Sequence, residues 1–249
     1  MKSWRNLLPV AVFALLLMGG EAARAGVLSR LRAAKPAPGK VAASAEPPPA
    51  ITKLLKPEAL HRILEDREIV TNASLEDVEG SETLRRYTYY ASMLVHSSLS
   101  RTREALTDYR AYAKMVPYVD RAEFVREPDL IRIEGGIWKF KLNSQVLFEE
   151  KSERWIRYRI VAGHFRGLSG DILFEPQGEK GTLVYMRGEQ QGPRDDFPPK
   201  FVIEKGAEIV FAFTAKRMRS YVEDANHGRP ASPPSGTPGS EIPQPRNRL

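Results

Sequence analysis

A glycine-rich segment between two predicted strands carries the residue types best suited to chemistry. Gly163-His164-Phe165-Arg166-Gly167 places an imidazole and a guanidinium close together, and Gly170 follows. At the mouth of a cavity, His164 and Arg166 would bind the head group of a ligand. The alternative is a bulged turn whose glycines adopt positive φ angles while Arg166 is solvated, and the glycine spacing favours that turn.

Three residues of a predicted C-terminal helix are further ligand-binding candidates. Phe213 and Arg217 lie on its predicted apolar stripe. Inside a cavity, the guanidinium of Arg217 would pair with a carboxylate or phosphate, although arginines more often snorkel outward or pair with a carboxylate of the sheet. Gly206 lies mid-helix, where glycine costs about 1 kcal/mol relative to alanine. It indicates either close packing on the sheet or room for a ligand.

Tyrosines complete the candidate set. Tyr109 and Tyr112 lie on predicted short helices, where they either line a pocket or pack in the core. Tyr158 and Tyr185 would offer polar points inside an apolar pocket. Alternation does not fix the face of Tyr185, and a cross-strand salt bridge is the default interpretation for its neighbour Arg187.

Signatures of catalysis and metal binding are mostly missing. The four histidines lack metal-ligand spacing, and neither a G-x-S-x-G nucleophile elbow nor a phosphate-binding loop occurs. The sequence therefore predicts no metal, no cofactor and no catalytic residue. A His/Tyr/Arg set acting as general acid and base remains the enzyme hypothesis, although nothing in the sequence requires it.

The net charge of +7 lies in the two ends of the chain. Residues 1–50 carry seven Lys/Arg against two Asp/Glu, and residues 228–249 carry three against one. The stretch between them has 28 of each sign and is neutral. A nucleic-acid-binding protein concentrates its basic excess on the folded domain, so we expect no nucleic-acid partner.

The first 25 residues have the pattern of an export signal. Lys2 and Arg5 precede an apolar run from Leu7 to Met18, and Ala23-Arg24-Ala25 provides a cleavage site. We expect cleavage after Ala25 and a periplasmic or secreted protein, with an uncleaved N-terminal anchor as the alternative. The chain has no cysteine and hence no disulfide, so its stability must come from its core.

The chain divides further by composition. Residues 26–50 are rich in Ala and Pro and predict a disordered linker, whose basic charge leaves open a transient contact with a membrane. Residues 51–80 predict a helical N-terminal extension, residues 81–226 one folded domain, and residues 227–249 a disordered Pro-rich tail. We expect a monomer.

Period-two alternation begins at Arg85 and predicts a strand with Tyr87 and Tyr89 on one face and Tyr90 on the other. Two short helices follow and must stop at Pro117. Six further strands with tight links then predict an antiparallel meander with one apolar and one wet face. These strands are 122–126, 130–134, 138–148, 155–161, 172–175 and 182–189.

The last predicted element is a helix from about Phe201 to Asp224, opened by Pro198-Pro199. Residues placed 100° apart give one apolar stripe interrupted by an arginine. The stripe comprises Val202, Ile203, Gly206, Ile209, Val210, Phe213, Arg217 and Tyr221. An apolar sheet face followed by a long amphipathic helix buries both by packing the helix on the sheet.

The stretch from Leu99 to Tyr118 resembles the beginning of the START-like (SRPBCC, or polyketide cyclase and coenzyme-Q-binding) superfamily. The resemblance rests on Leu106-Thr107-Asp108-Tyr109, on Pro117, and on the order of one strand, two short helices, six strands and one long helix. It implies an α+β helix-grip fold, in which a curved antiparallel sheet of about seven strands wraps around the C-terminal helix.

In function, the resemblance implies an apolar cavity between sheet and helix. Our leading hypothesis is an exported carrier or sensor that binds a hydrophobic molecule, such as a lipid or quinone. A cyclase- or dehydratase-type enzyme acting on a polyketide-like substrate is the second hypothesis. A non-catalytic periplasmic interaction domain is the third.

Overall fold

The computed structural model describes residues 47–137, 140–197 and 200–226. The predicted export signal, the linker up to residue 46, the tail from residue 227 and the two dipeptides at 138–139 and 198–199 lie outside these ranges. The strands are β1 (Val70–Asp77), β2 (Leu84–Val95), β3 (Val119–Arg126), β4 (Leu130–Ile137), β5 (Phe140–Ser152), β6 (Trp155–Gly163), β7 (Ser169–Pro176) and β8 (Thr182–Pro193). The α-helices are α1 (Ile51–Leu54), α2 (Pro57–Leu64), α3 (Leu99–Thr107), α4 (Tyr112–Met115) and α5 (Lys200–Asn226).

The strands form one antiparallel sheet in the order β1-β2-β8-β7-β6-β5-β4-β3. The sequence predicted about seven strands, and β1 is the eighth. It pairs without interruption along β2, from Val70 opposite Ser92 to Asp77 opposite Arg85. The sequence predicted a helical extension over residues 51–80, because the polar side chains of this strand give no clear alternation. The sheet therefore begins at Val70, before residue 81, where the sequence predicted the folded domain to start.

Both faces of the sheet are covered. The concave face carries the larger core, to which α3, α4 and α5 contribute. The convex face carries a second apolar cluster under α1 and α2, where Ile51 and Ile63 are almost fully buried. The prediction that one face of the sheet is wet is therefore wrong where this cluster lies. The residues that the sheet contributes to the convex cluster are Val70, Tyr90, Leu94, Trp155, Leu173, Leu183 and Tyr185.

The N-terminal helices form where the sequence predicted them. Pro57 occupies the first turn of α2, where its missing N–H costs nothing. A backbone connection also fixes the layer, because the N–H of Ile51 donates to a carboxylate oxygen of Glu175 at 2.9 Å. The extension is thus an integral layer of the fold.

The two predicted short helices are confirmed as α3 and α4, joined by a 3₁₀ turn at Tyr109–Ala111. α4 ends at Met115, two residues before Pro117. Leu106 and Met115 are buried in the concave core. The helices therefore seal one end of the concave face.

The predicted apolar stripe of α5 is wrong apart from Tyr221. The residues that pack on the concave core are Ala207, Phe211, Ala215, Met218, Tyr221 and Val222. Phe213 lies 200° around the helix from Phe211, and its side chain is 53% exposed. The apolar residues of this helix are distributed around its circumference, so its sequence does not fix which face packs on the sheet.

Candidate functional site

Burial on the concave face is uneven. Next to α3, Val95 and Met115 are fully buried. Towards the N-terminal half of α5, several apolar side chains are only partly buried. We call this region the open end and define it by Tyr87, Ile133, Ile160, Met186, Ala207 and Phe211.

Antiparallel pairing brings these residues together. Tyr87 lies near the start of β2, whereas Ile133 and Ile160 lie near the ends of β4 and β6. Alternate strands of the sheet run in opposite directions, so these positions share one edge. Ala207 and Phe211 come from the first half of α5, which begins at that same edge.

A hydrogen-bonded tyrosine pair lies beside the open end. The hydroxyl of Tyr158 donates to the carbonyl oxygen of Arg187 at 2.9 Å. Its single proton is thereby used, so the hydrogen bond between Tyr89 and Tyr158 has Tyr89 as the donor. Both tyrosines are buried.

Two glycines make room for this pair. A Cβ on Gly188 would lie 2.4 Å from the Tyr158 hydroxyl oxygen and 2.6 Å from a ring carbon of Tyr89. A Cβ on Gly170 would lie 2.6 Å from the same Tyr158 oxygen. Any side chain at either position would displace a tyrosine, so the glycines fix where the hydroxyls lie.

A second hydroxyl chain reaches the open end from α5. Thr214 donates to the carbonyl oxygen of Val210 at 2.8 Å, so Tyr118 is the donor in its own 2.8 Å hydrogen bond with Thr214. One turn earlier on the helix, Phe211 stacks on Tyr89 with ring centroids 4.3 Å apart. The two chains are therefore held by adjacent turns of one helix.

Burial keeps these phenols neutral. Desolvation, followed by the neighbouring hydroxyls of Tyr89 and Tyr118, raises the pKa of Tyr87 far above its ordinary value. Desolvation also raises the pKa of Tyr89, Tyr118 and Tyr158. These side chains can donate or accept hydrogen bonds, but they cannot act as bases near neutral pH.

The convex face holds the most elaborate charged cluster of the described residues. Asp171 is 4% exposed and accepts from the indole N–H of Trp155 at 2.8 Å, from Nε of Arg157 at 3.1 Å and from Arg187. Burial raises the pKa of this carboxyl, but the hydrogen bonds outweigh it and hold the pKa below its ordinary value. Every acceptor position is used, so the cluster is structural.

The glycine-rich segment forms the turn that its spacing favoured. Gly163 and Gly167 have φ angles of 82° and 95°, and Phe165 joins them at 59°. Nδ1 of His164 accepts the backbone N–H of Asn143 at 3.0 Å, so the imidazole lies against β5. Arg166 is exposed. The turn follows β6 and therefore lies at the edge that carries the open end.

The other predicted site residues lie in four different places. Tyr158 is beside the open end, Tyr109 and Tyr112 are packed in the concave core, and Tyr185 lies on the convex face. Phe213 and Arg217 are on the side of α5 turned away from Phe211, and Gly206 is buried. Arg187 makes the expected cross-strand salt bridge, to Asp171.

Sequence reasoning missed most of the residues at the open end as site candidates. Tyr87 and Tyr89 were placed on one face of β2 by alternation, so their signal was available. Phe211 and Thr214 were missed because the face of α5 was misassigned. Within the described ranges, no group of three His, Cys, Asp or Glu residues could hold a metal ion.

Comparison with known proteins agrees with this architecture. No family model matches the chain, and no curated protein matches it by sequence. A START superfamily protein from Mycobacterium smegmatis superposes with a TM-score of 0.50 at 18% identity, covering 55% of this chain and 98% of its own. The chain has the START-like fold.

Two other solved structures resemble the START-like domain more distantly. The Zhui aromatase/cyclase of a Streptomyces species has a TM-score of 0.46 at 14% identity, covering 57% of this chain and 94% of its own. A STAR-related lipid transfer protein from Xanthomonas axonopodis has a TM-score of 0.42 at 14% identity, covering 60% and 98%.

Proposed function

We propose that this START-like domain binds a hydrophobic small molecule, such as a lipid or quinone, at the open end of its concave face, as a carrier or sensor. The observation that carries the proposal is the group of partly buried apolar side chains around Phe211. Ile133, Ile160 and Met186 are only partly buried, whereas Val95 and Met115 beside α3 are fully buried. Partly exposed apolar side chains on the inner face of a curved sheet are candidates for contact with an apolar ligand.

Burial of apolar surface supplies the binding energy. At about 25 cal/mol per Å², covering roughly 400 Å² of ligand and protein surface yields about 10 kcal/mol before the costs of association. That leaves room for micromolar affinity after those costs. A rigid aromatic wall, formed where Phe211 stacks on Tyr89, adds little ordering cost because it is already in place.

The geometry gives less support to the two alternatives. Acid–base catalysis needs a group that changes protonation near neutral pH, and none of the residues that define the open end does so. An interaction domain would need a sizeable exposed apolar patch. On α5, Ile209 and Phe213 are 39% and 53% exposed, and two neighbouring side chains of this kind are ordinary on protein surfaces.

The binding proposal is tested by two substitutions at adjacent positions of β6. Ile160 packs against the concave core, whereas Val161, also half-buried, occupies a bulge in the pairing of β6 with β5 and is not a member of that core. Ile160→Asp places a carboxylate in the open end, where it must be desolvated by an apolar ligand. Val161→Asp is the matched control.

The assay is fluorescence titration with N-phenyl-1-naphthylamine, a neutral probe that brightens in apolar surroundings. We expect saturable binding to the unaltered chain and to Val161→Asp, and at least a tenfold weaker affinity for Ile160→Asp. Circular dichroism checks that both variants fold. No saturable binding by the unaltered chain, or equal binding by both variants, would contradict the proposal.

Export is a separate part of the proposal and is supported by the pattern of residues 1–25. It is tested by fractionating cells that express the full chain and sequencing the N-terminus of the recovered protein. A periplasmic or extracellular form that begins at Gly26 is the expected result. A cytoplasmic form that retains its first residues would contradict export while leaving ligand binding intact.

A further inference from the structure

The hydroxyl groups around the open end are already oriented by the protein. Tyr89 gives its proton to Tyr158, and Tyr118 gives its proton to Thr214. The hydroxyl oxygens of Tyr89 and Tyr118 therefore keep lone pairs, but neither hydroxyl has a proton left to donate. A ligand that meets them must supply the proton itself.

The third tyrosine is uncommitted. The hydroxyl of Tyr87 forms no hydrogen bond within the described residues, and its ring lies 5.7 Å from that of Tyr89. It can therefore accept a hydrogen bond or return one to the same ligand group. The tyrosine hydroxyls beside the open end therefore offer a ligand more hydrogen-bond acceptors than donors.

Charged groups lie at the rim of the open end, where Arg166 is exposed and Asp77 is ion-paired. Asp77 accepts from Arg85 at 3.0 Å and from Arg194 at 2.8 Å. Lys200 lies 3.6 Å from Glu204. The concave side chains of the open end are apolar or phenolic, so a charged ligand group placed there would be desolvated without a partner.

Resting on the proposed function, we propose that the open end selects an uncharged hydrophobic ligand whose polar end is a hydroxyl, such as a phenol or a long-chain alcohol. The ligand hydroxyl donates its single proton to the oxygen of Tyr118 and accepts a hydrogen bond from the hydroxyl of Tyr87. Carboxylates are disfavoured because they bring only acceptors to a site that already has them, and because their charge is not neutralised there.

Three probes with one ring system test this selection. 2-Naphthol has a neutral hydroxyl, 2-methoxynaphthalene has an acceptor without a proton, and 2-naphthoate is an anion. We expect naphthol to bind about three- to tenfold more tightly than methoxynaphthalene, which is the usual worth of one net hydrogen bond. Naphthoate should bind most weakly. Affinities are measured by displacement of N-phenyl-1-naphthylamine at neutral pH.

Substitutions then assign the preference to the tyrosines. Tyr118→Phe should shrink the naphthol preference several-fold and leave the affinity for methoxynaphthalene unchanged. Tyr87→Phe removes a donor that both probes can use, so it should weaken the binding of both. Tyr90→Phe is the matched control, because Tyr90 lies next in sequence to Tyr89 but belongs to the convex cluster. A loss of affinity for every probe would indicate misfolding, which circular dichroism detects.

The outcomes separate the two proposals. Equal affinity for naphthol and methoxynaphthalene would overturn the hydroxyl selection and leave hydrophobic binding standing. Tightest binding of naphthoate would also overturn it and would assign the polar end of the ligand to Arg85 and Arg194 at the rim. Binding of none of the probes, including the displaced one, would overturn the proposed function itself.

Discussion

Alkaline titration should unfold this domain through its tyrosines. Burial raises the pKa of five of them far above the ordinary value, namely Tyr87, Tyr89, Tyr109, Tyr112 and Tyr158. In the unfolded chain each would ionise near pH 10, at about the ordinary value. The folded state thus holds protons that the unfolded state releases. Stability should be intact below about pH 9 and should fall as the pH rises above about 10.

The magnitude follows from linkage. At about pH 11, a tyrosine that ionises only when unfolded destabilises the fold by about 1.4 kcal/mol. Five such residues give about 7 kcal/mol, which is comparable with the whole stability of a typical domain. We therefore expect cooperative unfolding between about pH 10 and 12, with tyrosinate absorbance and loss of circular dichroism rising together.

Two comparisons sharpen this assay. In concentrated urea, all nine tyrosines should titrate near the ordinary value. In Tyr109→Phe, the stability should fall less steeply with pH, by one proton's worth. If the native protein instead developed its tyrosinate absorbance gradually around pH 10 without any loss of circular dichroism, the packing of these rings would be refuted.

Three further predictions concern single side chains and are all measured by urea unfolding. Tyr158→Phe should lower the free energy of unfolding by about 1 to 3 kcal/mol, because the Tyr158 hydroxyl both donates and accepts a hydrogen bond. Tyr109→Phe should be neutral or stabilising, because the buried Tyr109 hydroxyl has no partner among the described residues. Equal costs would contradict the hydrogen-bond assignments. Phe211→Ala should cost about 3 kcal/mol and Phe213→Ala less than about 0.5, since only Phe211 packs on the core, and the reverse order would restore the stripe predicted from sequence. Asp171→Asn should lower the free energy of unfolding by about 3 kcal/mol at neutral pH. Because the folded pKa of Asp171 is depressed, its contribution to stability is present above about pH 4 and is lost in acid, so the stabilities of the variant and the unaltered chain should converge there. Parallel profiles of stability against pH would argue against the cluster.

The sheet was largely predictable from sequence, and the reason is visible in β2. Side chains alternate strictly across a strand, so placing Tyr89 on one face places Tyr90 on the other. The structure confirms both positions. Ile156 and Tyr158, two residues apart on β6, likewise share the concave side. Topology followed because tight links between consecutive strands leave few antiparallel arrangements.

The open end was less predictable because it depends on a helix that is apolar on several sides. Phe211 and Phe213 point in nearly opposite directions, and sequence spacing alone gave no reason to prefer the first. The wrong assignment of the α5 face also left the hydrogen bond between Thr214 and Tyr118 unpredicted. Local propensity predicts that such a helix forms, and tertiary packing decides its orientation.

The convex layer was half predictable. The helices α1 and α2 were expected from the spacing of Leu55, Leu60 and Ile63. What they cover could have been inferred from apolar residues at outward strand positions, such as Trp155 and Leu173, but those positions were taken as wet. Two apolar surfaces far apart in sequence pair only when the sheet brings them together.

The most direct test of the central claim is a methyl NMR titration with 2-naphthol. The chain has six methionines, of which Met186 lies at the open end and Met115 is fully buried beside α3. A ligand bound at the open end should shift the Met186 methyl resonance saturably and leave that of Met115 in place. Saturable shifts at Met115 without any at Met186, or no saturable shift at either, would contradict a ligand site at the open end.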